Sequence, residues 1–194
     1  PASGRDHTLH IRDSPKDGCL MAVIEAIETI YLEADAVSVT TATLPDTYEH
    51  LQVHLSLHSK RAGSDQLYFR PNSDSSSIYS FGFMEGVAST VTGNHAFTGN
   101  PQMNLREMPY EDSDAASYGT YIIDILDYRN TNKYSTIMYT QGMNGIVGTD
   151  PSRVVLGSGL WAVATEITTL HFFTIGTGFA RGSSITVYGL NSAN

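Results

Sequence analysis

At 194 residues the chain has room for one domain with a sizeable core. Only 16% of its residues are charged, against about 25% in an average globular protein, and 17 Gly and 11 Tyr accompany many Ser and Thr, which excludes a helical bundle and suits strands joined by turns. A net charge of −9, with no basic run longer than Lys60-Arg61, excludes nucleic acid as a ligand, and no apolar run approaches the roughly 18 residues of a membrane span.

Residues 1–20 alternate charges and turn formers without usable periodicity, so an irregular or extended N-terminal arm is expected there, followed by one domain over residues 21–194. The arm has no apolar stretch of the kind a signal peptide needs, and Cys19, the single cysteine, allows no intrachain disulfide. Synthesis and assembly in a reducing cytoplasm are the expectation. Ile24, Ala26, Ile30, Leu32 and Ala34 share one parity, while Val23, Ile27, Ile30 and Tyr31 also fit helical spacing. The first element therefore stays open between strand and helix.

From Val37 onward the signals are strands. Val37 to Thr43 is β-branched and ends at the turn Leu44-Pro45-Asp46. The clearest strand is Tyr48 to Ser59, where Leu51, Val53, Leu55 and Leu57 alternate with His50, Gln52, His54, Ser56 and His58. Shorter strands are expected at 67–70, 78–84, 120–126, 134–140, 154–156, 167–175 and 184–189, separated by Gly-, Asn- and Ser-rich turns. Residues 86–116 are polar, Gly-rich and weakly patterned, and read as long loops. Many short strands with no crossover helix predict an all-β, antiparallel jelly-roll sandwich.

Several constellations invite chemistry, and spacing decides most of them. His50, His54 and His58 lie four residues apart, about 13 Å along a strand, too far to share one zinc, so they read as a polar or interface strip. Gly157-Ser158-Gly159 imitates a dinucleotide fingerprint but lacks the helix and βαβ unit that the fingerprint requires. Ser158 also lacks the Gly-x-Ser-x-Gly spacing of a nucleophile elbow. Asp124 and Asp127, near Glu111, Asp112 and Asp114, offer carboxylates for a glycosidase pair or a calcium site, though acidic loop residues are usually just solvated. Tyr68, Tyr79, Phe81, Phe83 and Tyr110 read more readily as core than as a sugar platform. The expectation is a protein that is not an enzyme and holds no cofactor or metal.

The final third carries a recognisable set: Trp161 after Gly157-Ser-Gly159-Leu160, then Gly176-Thr-Gly178-Phe179-Ala-Arg-Gly182-Ser, then Ile185-Thr-Val-Tyr188-Gly189-Leu190. With Leu44-Pro45 and Thr47-Tyr-Glu-His-Leu51, it resembles a family of small tailed-bacteriophage virion proteins over roughly residues 24–190. The resemblance implies a jelly-roll domain, often trimeric, that decorates the phage head or forms part of a tail appendage. It implies the major capsid protein or other virion proteins as partners, with a glycan as ligand for the appendage alternative, and it transfers no catalytic residue. Read physically, Gly176, Gly178 and Gly182 permit left-handed backbone in a tight connection that Phe179 plugs, while Thr186 and Tyr188 face away from the core.

Overall fold

The computed structural model describes residues 24–111, 116–144 and 152–191. The arm expected over residues 1–20, Cys19 included, lies outside the described residues, as do Asp112 and Asp114. In chain order the strands are β1 (Ile24–Tyr31), β2 (Ser38–Thr40), β3 (His50–Leu57), β4 (Asp65–Pro71), β5 (Tyr79–Val87) and β6 (Thr90–Asn100). They continue as β7 (Met103–Met108), β8 (Gly119–Ile125), β9 (Ser135–Met143), β10 (Arg153–Trp161), β11 (Leu170–Thr174) and β12 (Ser184–Leu190). The protein is an all-β antiparallel sandwich.

One sheet has eight strands in the order β1-β12-β3-β8-β9-β10-β5-β6, and the other has four in the order β2-β11-β4-β7. The pairing is nested. β1 pairs with β12, β2 with β11, β3 with β8 and β4 with β7. Two hairpins, β5–β6 and β9–β10, are inserted into this arrangement and meet each other along the β5–β10 ladder. They lengthen the larger sheet until it overhangs the smaller one, and β6 at its far edge is exposed along most of its length.

Alternation builds the core. Leu51, Val53, Leu55 and Leu57 point inward from β3 and meet Leu67, Phe69 and Phe172 of the smaller sheet, where the rings of Phe69 and Phe172 stack 5.0 Å apart. Each such side chain contributes roughly 1.5–3 kcal/mol when fully buried.

The first element is a strand, settled by its ladder to β12. Its single-parity reading fails, because a bulge between Ala26 and Glu28 shifts the register. Ile24 therefore lies open to solvent, while Ile27, Ile30 and Leu32 pack on the core. Residues 86–116 are not long loops, since they hold both β6 and β7. β6 shows no alternation because neither of its faces is covered. In β7 a bulge, with Arg106 at φ 72°, moves the buried positions from Met103 and Leu105 to Met108, which breaks the period of two.

Candidate functional site

The histidine strip divides. His54 donates from Nε2 to Gln52 Oε1 at 2.8 Å, and Gln52 Nε2 donates to Asp124 Oδ1 at 2.8 Å, a polar thread from β3 to β8 across the outer face. The ring of Tyr188, which does face outward, lies 4.8 Å from that of His54. His50 Nδ1 accepts the Asp127 amide at 3.0 Å. His58 does not belong to the strip: β3 ends at Leu57, and the His58 ring turns inward to donate to the Ser117 carbonyl at 2.7 Å. At 3% exposure it is unavailable to a partner.

The final-third signature residues make close packing and main-chain contacts. Phe179 is fully buried and exchanges both main-chain hydrogen bonds with Ala36. Gly178 takes φ +99° there, and a Cβ would come within 2.2 Å of the Ala36 carbonyl oxygen. Gly182 shares the left-handed backbone, but Gly176 does not. Its constraint is the close approach of Arg61 and Asp65. At Gly189 a Cβ would lie 2.3 Å from the Tyr48 ring, so the missing side chain makes room for that tyrosine. Trp161 closes β10, fully buried, and its indole N–H donates to Asp74 Oδ2 at 2.9 Å. Burial pushes the Asp74 carboxyl up, but hydrogen bonds from Ser76 and Trp161 outweigh it and hold the group below its usual range.

The glycines that imitate a nucleotide loop serve packing. Gly157 and Gly159 face inward on β10, and side chains there would overlap the Tyr139 ring and the Met103 thioether. Ser158 lies on the opposite, outer face.

The acidic candidates are each tied to a different partner. Asp124 serves Gln52, Asp127 pairs with Lys133, and Glu111 accepts from Lys60 at 2.7 Å. No group of three metal-ligating side chains occurs among the described residues. Of the aromatic candidates, Tyr68 and Tyr79 are buried, and Phe81 and Phe83 pack against the core.

Sequence reasoning missed two features. Between the overhanging sheet and β7, Arg106 grips Glu85 with two bonds (3.1 and 2.8 Å), Arg153 reaches Glu85 at 2.5 Å, and Arg153 also reaches Glu107 at 2.6 Å. Arg106 lies 4.2 Å over the Phe83 ring as well. These charges come from distant stretches of the chain, and no local pattern announces them. The alternating signs pair with one another, although the buried Arg153 Nε has no hydrogen-bond partner, and the cluster ties β7 to β5 and β10.

The second feature is the outer face of β8, β9, β10, β5 and β6. Its outward positions hold one carboxylate, Asp124, and no Lys, Arg or Glu. Ile122, Met138, Leu156, Met84 and Val154 are exposed there, Met138 at 51% and Val154 at 69%. The ladders place Ile122 opposite Thr140, Thr140 opposite Leu156 and Leu156 opposite Met84, one continuous row. A signal was present in Val154-Val155-Leu156, which is apolar on both faces of its strand. In a chain of net charge −9, a face this poor in charge has the make-up of an interface core, where charged residues are depleted.

At one end of this face Leu126, Tyr134 and Met138 line a shallow concavity of about 380 Å³ with Asp124, Asp127 and Lys133. No helix among the described residues is long and apolar enough to cross a membrane. Comparison with known proteins found no matching family model, no matching curated protein and no matching solved structure.

Proposed function

We propose that the chain is a jelly-roll structural protein of a tailed-bacteriophage particle, a head decoration protein that binds across copies of the major capsid protein. The jelly-roll reading rests on the nested pairing. Setting the two inserted hairpins aside, the order β1-β12-β3-β8 over β2-β11-β4-β7 is that of one hairpin ribbon rolled upon itself. The phage assignment rests on the resemblance of the final third.

The observation that carries the decoration role is the broad, nearly uncharged outer face around Met138 and Leu156. A passive cement stabilises by burying area across subunits, and a broad face whose burial strips few charges of water suits that work. The role is structural, in the virion, after assembly in the host cytoplasm.

The test uses phage heads lacking the protein. Wild-type chain is expected to co-sediment with them and to raise the temperature at which they rupture. Met138→Lys and Leu156→Lys, both at exposed positions, are expected to fold normally and not to bind. Saturable binding to tails but not to heads would overturn the decoration role.

A second reading has its own observation. Tyr134, 54% exposed, stands beside Lys133, Asp124 and Asp127 in the concavity, an aromatic surface ringed by polar groups of the kind that holds a sugar. That arrangement suits a glycan-binding domain of a tail appendage. Binding to a host-glycan array that is lost in Tyr134→Ala would favour it.

A further inference from the structure

The four sheet edges differ in how they are protected. An unprotected edge is a template for another strand, and proteins blunt edges with charges, bulges, prolines or brevity. β1 carries Glu25, Glu28 and a bulge. β2 is three residues long. β7 carries Arg106, Glu107 and a bulge. β6 has eleven residues, Thr90 to Asn100, with no Lys, Arg, Asp, Glu or Pro. Its register with β5 is unbroken from Thr90 to Ala96, and the irregularity falls between Ala96 and Asn100, a stretch that holds Phe97 and the positive-φ Gly99. The longest strand of the described protein is thus its least protected edge.

We infer that the free edge of β6 pairs with β6 of a second copy of this chain, antiparallel, about a two-fold axis through Asn94. The arrangement of β6 itself favours a copy. Val91 and Phe97, 72% and 77% exposed, project from the same outer face and stand three residues either side of Asn94. A two-fold at Asn94 sets Val91 of each strand opposite Phe97 of the other, a β-branched and aromatic pair of the kind that stabilises cross-strand contacts. The same register sets Thr92 opposite Ala96 and Gly93 opposite His95, with no charge facing a like charge. Charge also selects the place. Two copies of net charge −9 repel over most of their surface, and β6 is an uncharged strand along which they can approach.

The free strand satisfies part of its own edge. Asn94 Oδ1 accepts the His95 amide at 2.7 Å, and Asn100 Nδ2 donates to the Phe97 carbonyl at 2.7 Å. Pairing exchanges such local bonds for ladder bonds and adds the apolar contact. It also joins the outer faces of two copies into one larger face. The pairing does not depend on the phage assignment, and it gives a dimer where the resemblance implies a trimer.

The test uses the full chain in a Cys19→Ser background. The mass in solution is expected to be that of a dimer. Val91→Lys and Phe97→Lys are expected to weaken association at least about tenfold with unchanged melting, since both side chains are exposed. Asn94→Cys is expected to form an intermolecular disulfide under mild oxidation, because opposed residues in an antiparallel pair lie about 4.5–5.5 Å apart at Cα. Val91→Cys is expected to form none, because two copies of residue 91 would sit about 20 Å apart. A monomer at high concentration overturns the inference. So does a trimer indifferent to the lysine variants, or disulfide formation as fast at 91 as at 94. Loss of head binding in the lysine variants with unchanged mass would assign the edge to another virion protein instead.

Discussion

Arg153 Nη1 and Glu85 Oε2 meet 2.5 Å apart between the two sheets, at the centre of a chain of alternating charges that runs from Arg106 through Glu85 and Arg153 to Glu107. Removing one member of a buried pair costs far more than the pair itself contributes, because its partner is left charged and unmatched. Glu85→Leu strands Arg106 and leaves Arg153 with Glu107 alone. The expected loss is roughly 3–5 kcal/mol in chemical denaturation. A loss below about 1 kcal/mol would mean that water reaches the cluster and screens it as at an exposed surface.

Acid should release the same clamp. Burial pushes the Glu85 carboxyl up, but the guanidinium groups of Arg106 and Arg153 outweigh it and hold it below its ordinary value of 4.5. A group depressed in the folded state contributes its full stability above the unfolded value and loses it as pH falls through the folded value. Stability is expected to hold from neutral pH down to about 5 and then to fall below 4.5, less steeply in Glu85→Gln. Equal acid slopes for wild type and variant would remove Glu85 from the account.

Gly189 and Tyr48 allow a packing test. Gly189→Ala forces a methyl into the Tyr48 ring and is expected to cost roughly 1–3 kcal/mol. Tyr48→Ala removes the obstacle, so the double variant should be about as stable as Tyr48→Ala alone. Full additivity of the two losses would show that the clash is relieved elsewhere.

Trp161 is the only tryptophan, so its fluorescence reports one place. Asp74→Ala leaves its buried indole N–H without an acceptor and is expected to cost roughly 1–3 kcal/mol and to shift the folded-state emission. Asp74→Asn keeps an acceptor oxygen and should cost less. Equal melting temperatures for the two variants would argue that the contact is incidental.

What could be read from the sequence was whatever depends on neighbours along the chain. Leu51, Val53 and Leu55 announced β3 because one face of that strand is buried and the other open. The burial of Phe179 and the positive φ of Gly178 follow from a short glycine-rich run, a local pattern of another kind. β6 was illegible because both its faces are exposed and leave no pattern, and β7 because its bulge at Arg106 breaks the alternation. His58 continued the parity of its strand, yet the strand stops one residue earlier and the ring turns inward. The uncharged outer face and the Glu85 cluster exist only once β5 lies beside β10, a contact between two insertions that neither segment encodes alone.

Nested pairing also sets when the chain can fold. In the ladders of the described residues β1 pairs only with β12, β2 only with β11, and β3 only with β8 and β12. A ribosome adding about 5–20 residues per second leaves β1 unmatched for on the order of ten seconds until the last strand emerges. The larger sheet therefore closes only once β12 has emerged, by contacts between strands far apart in the chain, a topology that folds slowly. In the interval the apolar face of β3, with Leu51, Val53 and Leu55, has no sheet to cover it, the kind of exposed surface that chaperones shield.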